Sequence, residues 1–261
     1  MGVDSEKSGG ICVLTLNRPD VLNAFDDALG RELIDGVSDA ADDPEIRCIV
    51  ITGAGRAFCA GEDLGPLADD YSAGRAPDLG TTLRDRYNPL IRAIRAAPKP
   101  IIAAVNGVAA GAGASLALAC DYRVGSDKAR LILAFIKVGL VPDSGALWFL
   151  SKMIGTARAF NLAVTGEALS AEDALACGVF DEVAATEAFE ATWRQAAQRF
   201  ASGPTRAFAL CKGLLNGATE RSLDQQLELE IKAQSEAGHT EDHLAGVRAF
   251  FEKQEPVFRG R

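Results

Sequence analysis

Histidine is nearly absent: His239 and His243 are the only two in 261 residues. A Ser-His-Asp or Cys-His hydrolase needs an imidazole beside its nucleophile, so that class loses support. The i, i+4 spacing of the pair would suit one helix face. Thr240, Glu241 and Asp242 between them do not make the His-Glu-x-x-His pattern of a zinc site, and the pair reads as exposed helix histidines. The six cysteines, at 12, 48, 59, 120, 177 and 211, form no C-x-x-C pair, which excludes a zinc ribbon or thioredoxin motif. They read as scattered, reduced thiols of a cytoplasmic protein, and no metal site is expected. Positive charge is short as well. Lys and Arg total 27 against 36 Asp and Glu, a net charge of −9 with no basic cluster, which speaks against a nucleic-acid partner. An anionic substrate would need local cations or helix N-termini to offset that field. No G-x-x-x-x-G-K-[ST] occurs, so a P-loop is excluded. Met1 to Gly10 lacks a basic segment followed by an apolar run, so no signal peptide is expected. One charge-free stretch, Ile101 to Cys120, is long enough to span a bilayer. Asn106, Ser115 and glycines 107, 111 and 113 break it into a strand, a turn and a helix, so no membrane partner is expected.

What remains is a chain 48% hydrophobic and 24% charged, the composition of a folded globular protein. Ile11 to Leu16, Ile46 to Thr52, Ile101 to Val105 and Tyr122 to Val124 read as strands. Asp26 to Asp39 has helical spacing, with Leu29, Leu33, Ile34 and Val37 on one face. Leu64 to Gly80, rich in Gly, Pro and Asp, reads as a mobile surface loop, and Leu83 to Ala97 as a helix stopped before Pro98. Strands alternate with helices early and helices run alone late. The pattern predicts an α/β core over 1–200 and a helical region over 201–261, with Ser202-Gly203-Pro204 as hinge.

Two strand-to-glycine turns stand out. The first runs from Ile49 through Gly53-Ala54-Gly55 to Gly61-Glu62-Asp63-Leu64; the second runs from Ala103 through Gly107 to Gly111-Ala112-Gly113. Neither is a dinucleotide fingerprint. Phe58 stands where the third glycine of G-x-G-x-x-G belongs in the first, and Leu116 in the second. Small residues at such turns let backbone N–H groups approach a ligand oxygen. A helix starting near Ala112 would add its free amides and positive dipole end. Two converging donors make an oxyanion hole, each worth about 3 kcal/mol of transition-state stabilisation. The alternative is that these glycines serve only to pack a helix against a sheet.

The segments AFCAGEDL (Ala57 to Leu64) and AAVNGVAAGAGASLALACD (Ala103 to Asp121) resemble the signatures of the crotonase, or enoyl-CoA hydratase/isomerase, superfamily. The likeness runs from Leu16-Asn17-Arg18-Pro19 to the tail at Arg261. It implies a spiral of ββα units, a ClpP/crotonase α/β fold, followed by helices that help form trimers, which commonly pair into hexamers. It implies an acyl-CoA substrate, with a coenzyme A thioester consumed rather than any permanently bound cofactor. Its thioester oxygen would meet the amides of Glu62 and Ala112. Ala60, Asp63 and Leu64 would meet the adenine part of CoA, Gly111 and Phe135 would border the substrate, and Lys253 would face the CoA phosphates, often across a subunit boundary.

The chain departs from the hydratase pattern of that family, which handles a water molecule with two glutamates. Ser115 and Phe135 stand at those positions, and neither can act as such an acid or base. Asp143, in Gly139-Leu140-Val141-Pro142-Asp143-Ser144-Gly145, stands where hydratases usually have glycine, and this resembles the epoxyphenylacetyl-CoA isomerase branch. The expected activity is thus enoyl-CoA double-bond isomerisation with Asp143 as acid/base; the first alternative is an enoyl-CoA hydratase of fatty-acid or aromatic-acid breakdown. A thioester hydrolase, a dehalogenase and a non-catalytic acyl-CoA binder remain as further alternatives. Asp143 also has a structural reading, as cap of the following apolar helix. Phe135, Leu140, Trp148 and Phe149 are near enough in sequence to desolvate it. For Asp63 a brace of its loop is expected, for Ser115 a bond to backbone, and for Cys59 packing.

Overall fold

The computed structural model describes residues 2–261. Its organising feature is that the chain visits two sheets in alternation. Strands β1 (Val3–Ser8), β2 (Ile11–Leu16), β3 (Cys48–Gly53), β5 (Ile101–Val105), β7 (Tyr122–Ser126) and β10 (Glu182–Ala184) form one sheet in that order. Strands β4 (Ala57–Cys59), β6 (Val108–Ala110), β8 (Arg130–Ile132) and β9 (Ala168–Ser170) form the other. β3 passes to β4, β5 to β6 and β7 to β8, so each turn of the chain lays one strand in each sheet. Pairing is parallel at β2–β3, β3–β5, β5–β7 and β4–β6–β8, and antiparallel only at β1–β2 and β8–β9. That is the spiral of ββα units the resemblance implied.

Burial explains which strands were legible. β3 and β5 are buried on both faces and read as continuous apolar runs. β1 is an exposed polar edge, and β4, β6, β8, β9 and β10 span three residues each, too few for any periodic signal. Helix α1 (Asp27–Asp42) starts where Asp26 accepts the Leu29 amide at 2.8 Å, and it buries Leu29, Leu33 and Val37 against the sheet. The expected loop 64–80 is partly helical: a 3-10 turn at Gly65–Leu67 leads into α2 (Ala68–Ser72), and α3 (Leu79–Thr82) follows. The helix expected at Leu83 opens instead as a π-helical turn, Leu83–Tyr87, before α4 (Asn88–Ala96).

Helix α5 (Ala112–Ala119) is buried on every side, which the short apolar run demands. Then come α6 (Ala146–Ile154), α7 (Thr156–Thr165), α8 (Ala171–Ala176) and α9 (Phe189–Ala201). Phe189, Trp193 and Ala197 of α9 cover the outer face of the first sheet. Helices α10 (Thr205–Asn216), α11 (Leu223–Gly238) and α12 (Glu241–Glu252) close the chain, and α11 buries no residue. α10 is tied to the core by Lys212, which donates to Asp121 at 2.7 Å and to the Ile94 carbonyl at 2.8 Å. Among the described residues, no helix is long and apolar enough to cross a membrane.

Candidate active site

The two glycine turns meet. Gly61 has φ +99°, a conformation that glycine alone adopts without strain. A Cβ there would lie 3.0 Å from the Ala110 carbonyl and 3.5 Å from the Ala112 nitrogen. The first turn therefore sits directly beside the start of α5. Gly113 serves the second close approach, since a Cβ there would collide with the Cys59 backbone carbonyl. Periodicity left open whether these glycines only pack a helix on a sheet; they do that, and in doing it they bring two amides together.

The orientation of those amides follows from pairing. Phe25 and Glu62 form a parallel bridge, with the Phe25 amide donating to the Gly61 carbonyl at 2.7 Å and the Asp63 amide to the Phe25 carbonyl at 2.8 Å. In such a ladder the N–H of the intervening residue points the other way. The Glu62 N–H thus faces away from Phe25 and has no backbone acceptor among the described residues. In α5 the first backbone bond is from the Ser115 amide to the Gly111 carbonyl, at 3.1 Å, which leaves the Ala112 N–H at the open helix end. Glu62 and Ala112 line one cavity of about 200 Å³. Two unpaired donors at one cavity wall can hold an oxyanion.

Asp143 lines the same cavity, with Leu64, Leu83, Phe135 and Leu140 among the apolar walls. Burial pushes its carboxyl above the usual carboxylate range; the negative charge of Glu62 adds to the rise, while a bond from the Ser144 hydroxyl, at 2.8 Å, opposes it. Ser144 adopts φ +52°, which costs a non-glycine residue about 1 kcal/mol, the kind of strain that gathers at functional sites. Asp143 does not cap the next helix. Gly145 holds the cap position of α6 without any side-chain bond, and only the Asp143 carbonyl takes part, accepting the Ala146 amide at 2.9 Å.

Of the other expected site residues, Ala60, Leu64, Gly111 and Phe135 line the cavity. The amides of Ala60 and Asp63 are spent on the carbonyls of Leu22 and Phe25, so neither is a donor for a ligand. Asp63 braces its loop, accepting from Arg18 at 2.9 Å and from the Gly65 amide at 3.0 Å. Ser115 is fully buried and donates to the Asp143 carbonyl at 3.1 Å, tying α5 to the segment that carries the carboxylate. Cys59 is packing: burial pushes its thiol up to about 12, which keeps it unreactive. Lys253 is not brought to the cavity within the chain; it caps the end of α12 in the left-handed conformation. Trp148 and Phe149 do not line that cavity. They line a separate hollow of about 410 Å³ between α6 and α10, where the Lys152 ammonium lies 3.2 Å from the Trp148 ring centroid. Asp121, the one carboxylate of that hollow, pairs with Arg95 and Lys212. His239 and His243 are exposed, and the described residues hold no cluster of three metal-ligating side chains.

Sequence reasoning missed Arg86 and Tyr87. Both donate to the same Glu62 carboxylate oxygen, and Tyr87 lines the cavity. Nothing in an apparently helical Leu83 to Ala97 signals the π turn that aims them.

The architecture defines an α/β spiral whose adjacent glycine turns leave two amides open to an apolar, carboxylate-bearing cavity. The chain belongs to the enoyl-CoA hydratase/isomerase family, within the crotonase superfamily, and the family model matches residues 6–261. It is 44% identical over 252 residues to the 1,2-epoxyphenylacetyl-CoA isomerase of Escherichia coli, covering 97% of this chain and 96% of that one. A probable enoyl-CoA hydratase of Rhodobacter capsulatus is 43% identical over 98% of this chain and 97% of its own. A trans-2-decenoyl-[acyl-carrier-protein] isomerase of Streptococcus mutans is 34% identical over 97% of this chain and 95% of its own. The crystal structure of a Mycobacterium abscessus putative enoyl-CoA hydratase/isomerase superposes with TM-score 0.91 at 35% identity, covering 99% of this chain and all of that one.

Proposed function

We propose that the protein is an enoyl-CoA double-bond isomerase in which Asp143 carries the proton. One observation carries the reading. The cavity that holds the two unpaired amides has Asp143 as its desolvated carboxylate, while the positions of the hydratase glutamates hold Ser115, bonded to backbone, and Phe135, a wall. The thioester oxygen would accept from the Glu62 and Ala112 amides, which stabilise the negative charge that develops on it. Asp143 takes a proton from the carbon next to the thioester carbonyl, giving a dienolate. It returns that proton two carbons further along, so the double bond moves and no atom is gained. A carboxyl raised toward neutrality suits both halves of this cycle. Two of the relatives above bear the name isomerase.

The second reading is a hydratase, favoured by one feature: Glu62 is a second carboxylate at the cavity. Its oxygen is engaged by Arg86 and Tyr87, which leaves it poorly placed to activate water. Lys253 is proposed to reach the CoA phosphates of a neighbouring subunit in a homotrimer or a hexamer of two trimers.

The test is a panel of conjugated and β,γ-unsaturated enoyl-CoAs in heavy water, followed by mass spectrometry and ultraviolet absorbance. Interconversion with deuterium uptake and no gain of water is expected, and Asp143→Asn should lower kcat by about 10²–10⁴-fold. A product heavier by one water would establish the hydratase instead. Full turnover by the Asn variant would remove Asp143 from the mechanism.

A further inference from the structure

Arg86 is a guanidinium buried beside the cavity, its side chain 8% exposed. Its Nη1 donates to Asp27 at 2.8 Å, its Nη2 to Glu62, and its Nε has no partner among the described residues. Its stem lies against Gly30, where an added Cβ would stand 2.6 Å from the arginine Cγ and Cδ. Tyr87 donates to the same Glu62 oxygen, and its ring packs edge-on to Phe25 at 5.4 Å. Phe25 is the residue whose backbone bridges Glu62. One residue thus has its backbone held by Phe25 and its carboxylate held by the π turn. Burying a charge is expensive unless it is paired, and Asp27, the other partner of Arg86, is itself 76% exposed. Glu62 is thus the partner that meets Arg86 at the cavity.

The other charges near Asp143 are accounted for. Arg18 is taken by Asp26 and Asp63. Tyr71 and Tyr87 line the cavity, and burial pushes the Tyr87 phenol up, so it stays protonated. Cys59 stays a neutral thiol, and Lys137 on the turn before Asp143 is exposed, its stem near Gly166. Glu62 is the one carboxylate that shares the cavity lining with Asp143.

We propose that the Glu62 carboxylate, pinned by Arg86 and Tyr87 in the lining of the cavity that also carries Asp143, is a positioning residue: a fixed negative pole that biases Asp143 against ionisation, with Arg86 setting the strength of that pole. The consequence for turnover rests on the isomerase reading above; the electrostatic relation does not. Removing the Glu62 charge makes ionised Asp143 easier to form. Removing the Arg86 charge leaves Glu62 unneutralised and makes it harder.

The first readout is the carboxyl carbon signal of Asp143, titrated by NMR in the substrate-free protein. Glu62→Gln, which keeps the amide and is close to isosteric, should lower the Asp143 midpoint. Arg86→Met should raise it, and Arg86→Lys, which keeps the charge, should bring it back toward wild type. The second readout is the acid limb of the kcat–pH profile. One pH unit below the wild-type midpoint, Glu62→Gln should keep about two- to threefold more of its own plateau rate than wild type does. A merely structural Glu62 would lower kcat and leave both midpoints unmoved, and that result overturns the proposal. If Arg86→Met fails to fold, Glu62→Gln alone decides. Midpoints that move as stated in a protein that turns over no enoyl-CoA would support the electrostatic relation and sink the isomerase reading.

Discussion

Asp143 works against the stability of the protein that carries it. Its carboxyl is raised by burial, so the folded state prefers the protonated form. For a carboxyl raised on folding, the stabilising contribution is complete below the unfolded value of 3.8 and is lost as pH climbs through the folded value. At neutral pH the ionised group therefore destabilises the fold. Asp143→Asn, neutral at every pH, should melt at a higher temperature than wild type at pH 7 to 8, although it has lost turnover. That advantage should vanish below the unfolded carboxylate range, and thermal melts across pH check both halves. Equal melting temperatures at pH 8 would mean that Asp143 sits in water rather than against Phe135 and Leu140. The aspartate itself was legible through the family resemblance, because it stands where hydratases usually have glycine. Its surroundings were not: Ser144 is a neighbour in sequence, but Glu62 comes to the same cavity only through the turn of the spiral.

Among the elements, α5 decides the site. Its eight residues are all buried, so small side chains are required wherever another backbone approaches. Gly113 against the Cys59 carbonyl is the tightest such contact around the hole. Gly113→Ala would push α5 from β4, at a cost of about 3 kcal/mol, and would separate the Ala112 amide from that of Glu62. The expected result is a lower unfolding midpoint together with a fall in kcat larger than any change in KM, since the hole matters most in the transition state. A variant that loses stability while keeping kcat would show that the two amides do not act together. The π turn makes the opposite point. It reads as ordinary helix because the apolar spacing from Leu83 to Ile94 is helical, and one wider turn does not disturb a pattern that short.

For the whole molecule, an open apolar surface lies on α12 and the tail after it. Leu244, Phe250, Phe251 and Val257 are between 64% and 78% exposed in the single chain. Exposed apolar groups of that size, gathered on one terminal region, mark a contact surface. Sedimentation velocity should give a trimer or a multiple of it rather than a 27.4 kDa monomer. Phe250→Asp combined with Phe251→Asp should shift the mass toward the monomer. If Lys253 serves a neighbouring site, that shift should also raise KM for CoA esters. A stable, fully active monomer would contradict both expectations. The charge of −9 makes a local cation of this kind necessary for an anionic substrate, because the global field repels it.

The sequence by itself determined the α/β class, the buried strands β3 and β5 and the two glycine turns. These features are written in composition and in runs long enough to carry a period. Set against the family resemblance, Ser115 and Phe135 marked a missing pair of acids, and Asp143 a carboxylate where glycine is usual. Only the tertiary structure decided that Gly61 lies against the Ala110–Ala112 turn and Gly113 against Cys59, that Glu62 turns its amide away from Phe25, and that Arg86 and Tyr87 grip the Glu62 carboxylate. It also removed Trp148 and Phe149 from the cavity and denied Asp143 the helix cap. The physical reason is common to the contacts made between turns of the spiral. They depend on parallel pairings between segments far apart in the chain, Phe25 with Glu62 and Ile49 with Ile101, and no local pattern of apolar spacing records which turn comes to lie beside which.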